Sequence, residues 1–259
     1  MLKRILILGV VVTVFWVRPV DASVPSQTEA LFNEAGEAYR SAQYQQAISL
    51  YEEIRRGGWE SGPLYYNLGS SYFRLGDIGR TILNYERARL LIPRDREPAA
   101  NYRYALSLRP AGTVDQPRHW LMRLAQLGTV LFNINELTWI VFGIVVMLGL
   151  AHGLFLFGLL PRRLFKPVFL LCLVVLLLSL LSLGGTAVFI RDRAIVLEET
   201  EARFEPRAQA TVHFGLVPGQ AVRLMGAEGA WRKIKRFDGK RGWVPKKTVE
   251  SVIAEGSDS

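Results

Sequence analysis

Residues 62–95 read GPLYYNLGSSYFRLGDIGRTILNYERARLLIPRD, and the rest of the chain is organised around them. Shifting this stretch back by 34 lays it over residues 28–61. Gly69, Phe73, Gly76, Ile78, Thr81, Ile82 and Tyr85 then fall on Ala35, Tyr39, Ala42, Tyr44, Ala47, Ile48 and Tyr51. Self-similarity at a period of 20–50 residues is the mark of repeat architectures, in which each unit buries its apolar face only by stacking on a neighbour. Shifting forward by 34 reaches 96–108, a single amphipathic helix with no second helix behind it, which reads as a cap over the second unit. Pro110, Gly112 and Pro117 mark a linker, and 120–132 an amphipathic lead-in.

Within 62–95 the positions of Tyr65, Leu68, Gly69, Tyr72, Gly76, Tyr85, Ala88 and Pro93 resemble a tetratricopeptide repeat. The resemblance implies two antiparallel helices per unit, packed through the small residues Gly69 and Ala88. Thr81 departs from it, standing where the repeat usually carries Ala, so a hydroxyl must be accommodated at that crossing. Two repeats (28–61 and 62–95) and a cap make an all-α domain over 28–109. So short a stack is expected to lean on a partner or on a membrane, the alternative being a self-contained bundle.

The shared phase also exposes a candidate binding face. Asn33, Asn67 and Asn101 are 34 apart, and Arg40 and Arg74 follow the first two by seven, which puts them on the same helix side. Asn amides can pair with an extended peptide backbone and Arg can fork onto a carboxylate. Tyr66 and Phe73, beside Phe32 and Tyr39, add apolar contact. The plainer alternative is that the Asn side chains satisfy local backbone and the Arg side chains are solvated.

Of the 259 residues half are apolar and the net charge is +9, but the apolar ones gather in three runs. The first belongs to residues 1–22, MLKRILILGVVVTVFWVRPVDA, with Lys3 and Arg4 ahead of a short apolar core and Val20-Asp21-Ala22 behind it. That is the layout of a secretory signal peptide, with an uncleaved anchor as the alternative. The other two, 137–160 and 168–190, carry no formal charge and exceed the ~20 residues a membrane-spanning helix needs. Between them the loop 161–167 holds Arg162, Arg163 and Lys166 and no anion, which assigns it to the cytoplasm. Both flanking soluble parts then lie on the opposite side, where the signal peptide sends the N-terminus. His152, within the first span, is expected to face the partner helix.

From 191 to 254 the texture changes to short β-favouring runs at 194–197, 210–214, 221–225, 231–234 and 242–245, with turns at Pro218-Gly219 and Asp238-Gly239. Five short strands suggest a small all-β barrel. With Trp231 and the closing Gly242-Trp243-Val244, the stretch resembles a bacterial SH3-like domain, which implies binding of peptides or cell-wall components. Arg232, Lys233, Lys235, Arg236, Lys240, Arg241, Lys246 and Lys247 crowd round a single anion, Asp238, in a basic patch suited to anionic lipid or an acidic partner. The exported compartment excludes nucleic acid as its target. A solvated hairpin is the alternative.

The order of these parts makes a multidomain membrane protein: a helical-repeat domain, a two-helix transmembrane hairpin and an SH3-like barrel. It resembles the BatE-type proteins of the Bacteroides aerotolerance operons over nearly the whole chain. That resemblance implies a periplasmic inner-membrane scaffold beside von Willebrand factor A membrane proteins and a MoxR-type ATPase. The lone Cys172 and the scattered His119, His152 and His213 build neither disulfide nor metal site, and no nucleophile elbow or phosphate-cradling loop is present. No catalytic residue and no cofactor is expected. The competing class is a cell-wall-binding regulatory subunit of an envelope enzyme or transporter complex.

Overall fold

The computed structural model describes residues 26–110, 113, 134–159 and 161–253. The expected signal peptide and the lead-in at 120–132 lie outside the described residues. Helices α1 (Ser26–Arg40) and α2 (Tyr44–Arg56) form one pair, α3 (Gly62–Arg74) and α4 (Ile78–Leu91) a second, and α5 (Arg96–Ser107) packs on α4. The starts of α3, α4 and α5 are fixed by N-cap side chains: Ser61 accepts from the Leu64 amide at 3.2 Å, Asp77 from Arg80 at 2.9 Å and Asp95 from Glu97 at 3.0 Å.

The 34-residue phase is a structural repeat. Gln43 N donates to Ala38 O, and 34 residues on Asp77 N donates to Tyr72 O; Ala42 N to Tyr39 O is matched by Gly76 N to Phe73 O. Both turns pass through a left-handed residue, Ala42 (φ 58°) and Gly76 (φ 77°). Small residues sit where the helices meet: a Cβ on Gly69 would come within 2.8 Å of the Tyr85 ring, and Ala88 is fully buried. The Thr81 hydroxyl donates to the Asp77 carbonyl at 2.6 Å, one turn back, so the departure at this position is satisfied inside its own helix.

The C-terminal part is one antiparallel sheet of β1 (Arg193–Val196), β2 (Thr200–Arg203), β3 (Val212–Leu216), β4 (Ala221–Glu228), β5 (Trp231–Lys235), β6 (Arg241–Pro245) and β7 (Val249–Ser251). Their order is β3-β2-β6-β5-β4-β1-β7. Strands from both edges feed one apolar cluster, with Phe214 and Leu216 from β3 and Val249 from β7 around Val196, Val222, Ile234 and Val244, so the sheet curls on itself. Five strands are expected from the sequence, and the described residues hold seven. The two extra ones, TEAR and VES, are short and polar and carry no alternating signal.

The helical and β parts share a core. Ile82, Leu83, Tyr102 and Ala105 of α4 and α5 pack with Ile195, Leu197, Ala221 and Val252 in one buried cluster. Gly79 and Thr81 to Ala88 are all buried, because α4 meets α3 on one side and β1 on the other. Arg87 donates to the Ser251 and Val252 carbonyls at 2.7 and 3.0 Å and pairs with Glu250 at 2.9 Å. The short stack thus has a neighbour within its own chain, the sheet packed on the back of α4.

Two helices, α6 (Ile134–Leu156) and α7 (Arg162–Arg191), are long and apolar enough to cross a membrane and pack as a hairpin. Their apolar faces are open, with Leu150 and Leu170 about as exposed as surface residues, as lipid contact requires. Stacked rings of Phe155 and Phe165, 4.3 Å apart, close the hairpin near its turn, and His152 lies 6.2 Å from Phe165 on the partner helix. The boundaries differ from the expected 137–160, 161–167 and 168–190. The basic loop is helical from Arg162, with Pro167 inside α7, and the turn falls earlier, at Gly158 (φ 73°). Pro167, the sixth residue of α7, has no amide to offer the Arg163 carbonyl, so it removes one bond of the helix ladder just past the first turn.

Replacing Gly79 by Ala would ordinarily stabilise a helix by about 1 kcal/mol. Here the new Cβ would stand 2.1 Å from the Leu197 carbonyl oxygen, a backbone atom that cannot yield. Gly79→Ala is expected to lower the thermal midpoint of the full chain in detergent and to make the sheet more protease-sensitive. Ala42→Gly, which relieves a left-handed alanine, is expected to raise stability by about 1 kcal/mol in the same assay.

Candidate functional site

The seven candidate residues of the repeat face come from the first helix of each pair and from α5. Asn33 and Arg40 on α1 are exposed, Arg40 within 3.7 Å of Glu37. On α3, Arg74 is exposed and its Nε donates to the Tyr39 hydroxyl at 3.3 Å, with its guanidinium 5.9 Å from the Tyr44 ring centre. That contact ties the two repeats together. Asn67 is half-buried and hydrogen-bonds the Tyr51 phenol, whose pKa is raised by burial. The two Asn residues of the repeats thus differ: Asn33 is open and Asn67 is spent on the core.

Toward α5 the same face is laced more tightly. Tyr66 donates to Glu97 at 2.6 Å and accepts from the Asn101 amide at 2.8 Å, so its ionisation is pushed up first by burial and then by the Glu97 carboxylate. Phe73 packs on Tyr104 at 5.9 Å, and Tyr104 is itself more than half exposed. Glu97 and Tyr104 are members of this face that the sequence analysis missed, since neither falls on the 34-residue spacing. Position on the first turn and last turns of a capping helix was the only signal available for them.

The eight cations of the basic patch do not make one surface. The β5 pattern alternates, so Arg232 and Ile234 point inward and are buried while Lys233 and Lys235 take the other face. Lys233 stands over the Trp243 ring at 5.4 Å, and Lys235 lies opposite Arg241 on β6. Arg236 covers the Phe214 ring at 4.7 Å and holds Asp238 through Nε at 3.1 Å. Lys240 and Arg241 are exposed at the hairpin end, whereas Lys246 and Lys247 begin a short 3-10 turn (Lys246–Thr248) on the side facing the helices. The single patch expected from sequence is corrected to two groups, divided by strand alternation and by the turn at Pro245.

Among the described residues no three His, Cys, Asp or Glu side chains gather into a group that could hold a metal ion. No family model matches the chain, and no curated protein or solved structure matches it.

The Asp238 carboxyl is held down at about 2 by hydrogen bonds from Arg236 and from the Lys240 amide. Its contribution to the hairpin is complete above the ordinary carboxylate value of about 4 and is lost as pH falls toward 2. Carboxyl titration by NMR should find a midpoint near 2, and Arg236→Gln should move it up toward the ordinary value.

Proposed function

We propose that the chain is a membrane-anchored interaction scaffold, with two tetratricopeptide-type repeats and a capping helix, a transmembrane hairpin, and an SH3-like barrel. A partner protein presents an extended segment across the first-helix face, α1, α3 and α5. One observation carries this reading: the sheet covers the back of α4, while Asn33, Arg40, Arg74 and Tyr104 on the first-helix side stay open to solvent. Helical-repeat proteins bind through such surfaces.

The topology of the hairpin supports a shared compartment for the soluble parts. Arg94, beyond α4, pairs at 3.0 Å with Glu136 in the first turn of α6, and β1 begins two residues after α7 ends. Both soluble parts therefore emerge at one end of the hairpin, with Arg162, Arg163 and Lys166 at the other. The positive-inside rule then favours a periplasmic location for the soluble parts and the inner membrane for the hairpin. The resemblance to BatE-type proteins suggests partners of the von Willebrand factor A and MoxR-type ATPase kind, with the work of the complex in envelope stress or aerotolerance.

A photoreactive residue at position 104, on the same face and more than half exposed, should capture a discrete membrane or periplasmic protein from the cell-expressed chain. Asn33→Ala, Arg40→Ala and Arg74→Ala combined should cut that capture about tenfold or more with helix content unchanged. Undiminished capture by the triple variant would remove the repeat face as the binding site. Asn67 is left in place in this design because its amide serves the Tyr51 phenol.

A further inference from the structure

A cleft of about 260 Å³ opens where the helical part meets the sheet, away from the first-helix face. Arg55 of α2 and Arg87 of α4 line it from one side; Arg232 of β5 and Lys246 and Lys247 of the 3-10 turn line it from the other. Among the described residues Glu250 is the one carboxylate in the lining, so five cations face one anion. Glu250 is engaged by Arg87 at 2.9 Å, and Arg55 is paired at 2.7 Å with Glu52, which is not in the lining. Arg87 and Arg232 are nearly withdrawn from water, at 4% and 8% exposure.

Like charges drawn together at a half-buried seam repel, and low local dielectric strengthens that repulsion. Neither fold requirement nor core packing calls for the two lysines: Lys246 and Lys247 are exposed and the turn they start is closed by the Thr248 hydroxyl on Pro245 O at 2.9 Å. A ligand carrying negative charge would offset the excess that the exposed Lys246 and Lys247 add to the lining. Guanidinium and ammonium groups lining it from two sides suit a phosphate group, which offers oxygens on every side and near two negative charges. The volume falls below the roughly 300–1,000 Å³ of sites for drug-sized ligands, so a headgroup rather than a whole polymer unit fits.

We infer that this interdomain cleft binds a phosphate group, clamped between α2 and α4 on one side and the β5 and Lys246–Thr248 segments on the other. The site does not depend on the partner-binding face. Because it bridges both parts, its occupation stabilises their union in proportion to ligand concentration.

The test uses the full chain in non-ionic detergent, followed by intrinsic tryptophan fluorescence during heating. Inorganic phosphate should raise the midpoint in a saturable way at constant ionic strength set with chloride. Lys246→Ala with Lys247→Ala, both exposed, should weaken the half-saturating concentration by about tenfold or more. Lys240→Ala with Arg241→Ala, equal in charge lost but outside the cleft, should leave it unchanged. The same chains in nanodiscs of phosphatidylcholine, with or without phosphatidic acid, identify the source. A Lys246/Lys247-dependent rise with phosphatidic acid makes the phosphate a lipid's, and a rise confined to inorganic phosphate makes it soluble. Equal responses of the two double variants, or an equal response to chloride alone, would overturn the site. Stabilisation by a poly-glutamate peptide without any by phosphate would overturn it too, and would mark the seam as a docking surface for acidic protein.

Discussion

Glu86 projects from the back of α4, the side on which an isolated pair of helices would meet water, and there it meets the Arg193 guanidinium. One Arg193 nitrogen lies 3.2 Å from a Glu86 oxygen that also accepts from the Tyr102 hydroxyl at 3.3 Å. Both charged side chains are about nine-tenths buried. Taking two ions out of water costs several kcal/mol apiece, and the pair with its extra hydrogen bond does little more than offset this. Its importance lies in specificity. Removing either partner strands a buried charge at a cost of about 3–5 kcal/mol, so the helices and sheet hold one relative placement. Tyr102, with its phenol ionisation pushed up by burial and by Glu86, remains a donor in that arrangement at any ordinary pH.

The ion pair also solves the problem posed by so short a repeat. Repeat units are stabilised by neighbours, and terminal faces normally need a polar cap. Here α5 caps one flank and the sheet replaces the missing neighbour on the back of α4, burying Ile82 and Leu83 against Ile195 and Leu197. Close approach depends on backbone as well as side chains. Gly79 lies against the Leu197 carbonyl, and the Gly219 turn (φ 77°) admits Ile82, whose Cδ1 would be 2.3 Å from an added Cβ. Arg109, at the end of the helical part, donates to the Gly219 carbonyl at 3.3 Å and fastens the same turn.

The 34-residue phase was legible because it is local: a turn, a small residue and an aromatic recur at fixed offsets, and each unit repeats the same hydrogen bonds. The two apolar helices were legible for a similar reason, since length and absence of charge decide them. The union of helices and sheet was not. Arg87 and Glu250 lie 163 residues apart, and nothing in their neighbours marks a buried partner. Nothing in the repeat pattern marks Glu86 and Arg87 as buried; the sheet laid over α4 is what covers them. Strands β2 and β7 escaped for another reason, being too short and polar to show a period of two. The basic run from 232 to 247 read as one patch because sequence proximity hides the alternation that turns Arg232 inward and Lys233 outward.

Once the sheet is fixed to the repeat, the membrane helices are fixed to both. Arg193, the buried partner of Glu86, comes two residues after α7 ends, and Glu136 at the start of α6 is joined to Arg94. An exposed pair such as Arg94–Glu136 contributes under about 1 kcal/mol, so it orients rather than anchors. The Arg193 connection is the strong one, because β1 is held on three sides: by β4, by β7 and by α4. A flexible tether would let the repeat face sample every direction above the bilayer. A strand leaving the membrane helix directly into a shared core restricts it instead, so the segment proposed to bind across α1, α3 and α5 would be presented at a set height and orientation. Preorganisation of that kind would lower the entropy cost of assembling neighbours in one membrane, which is what the proposed scaffold would gain over a binding domain on a loose linker.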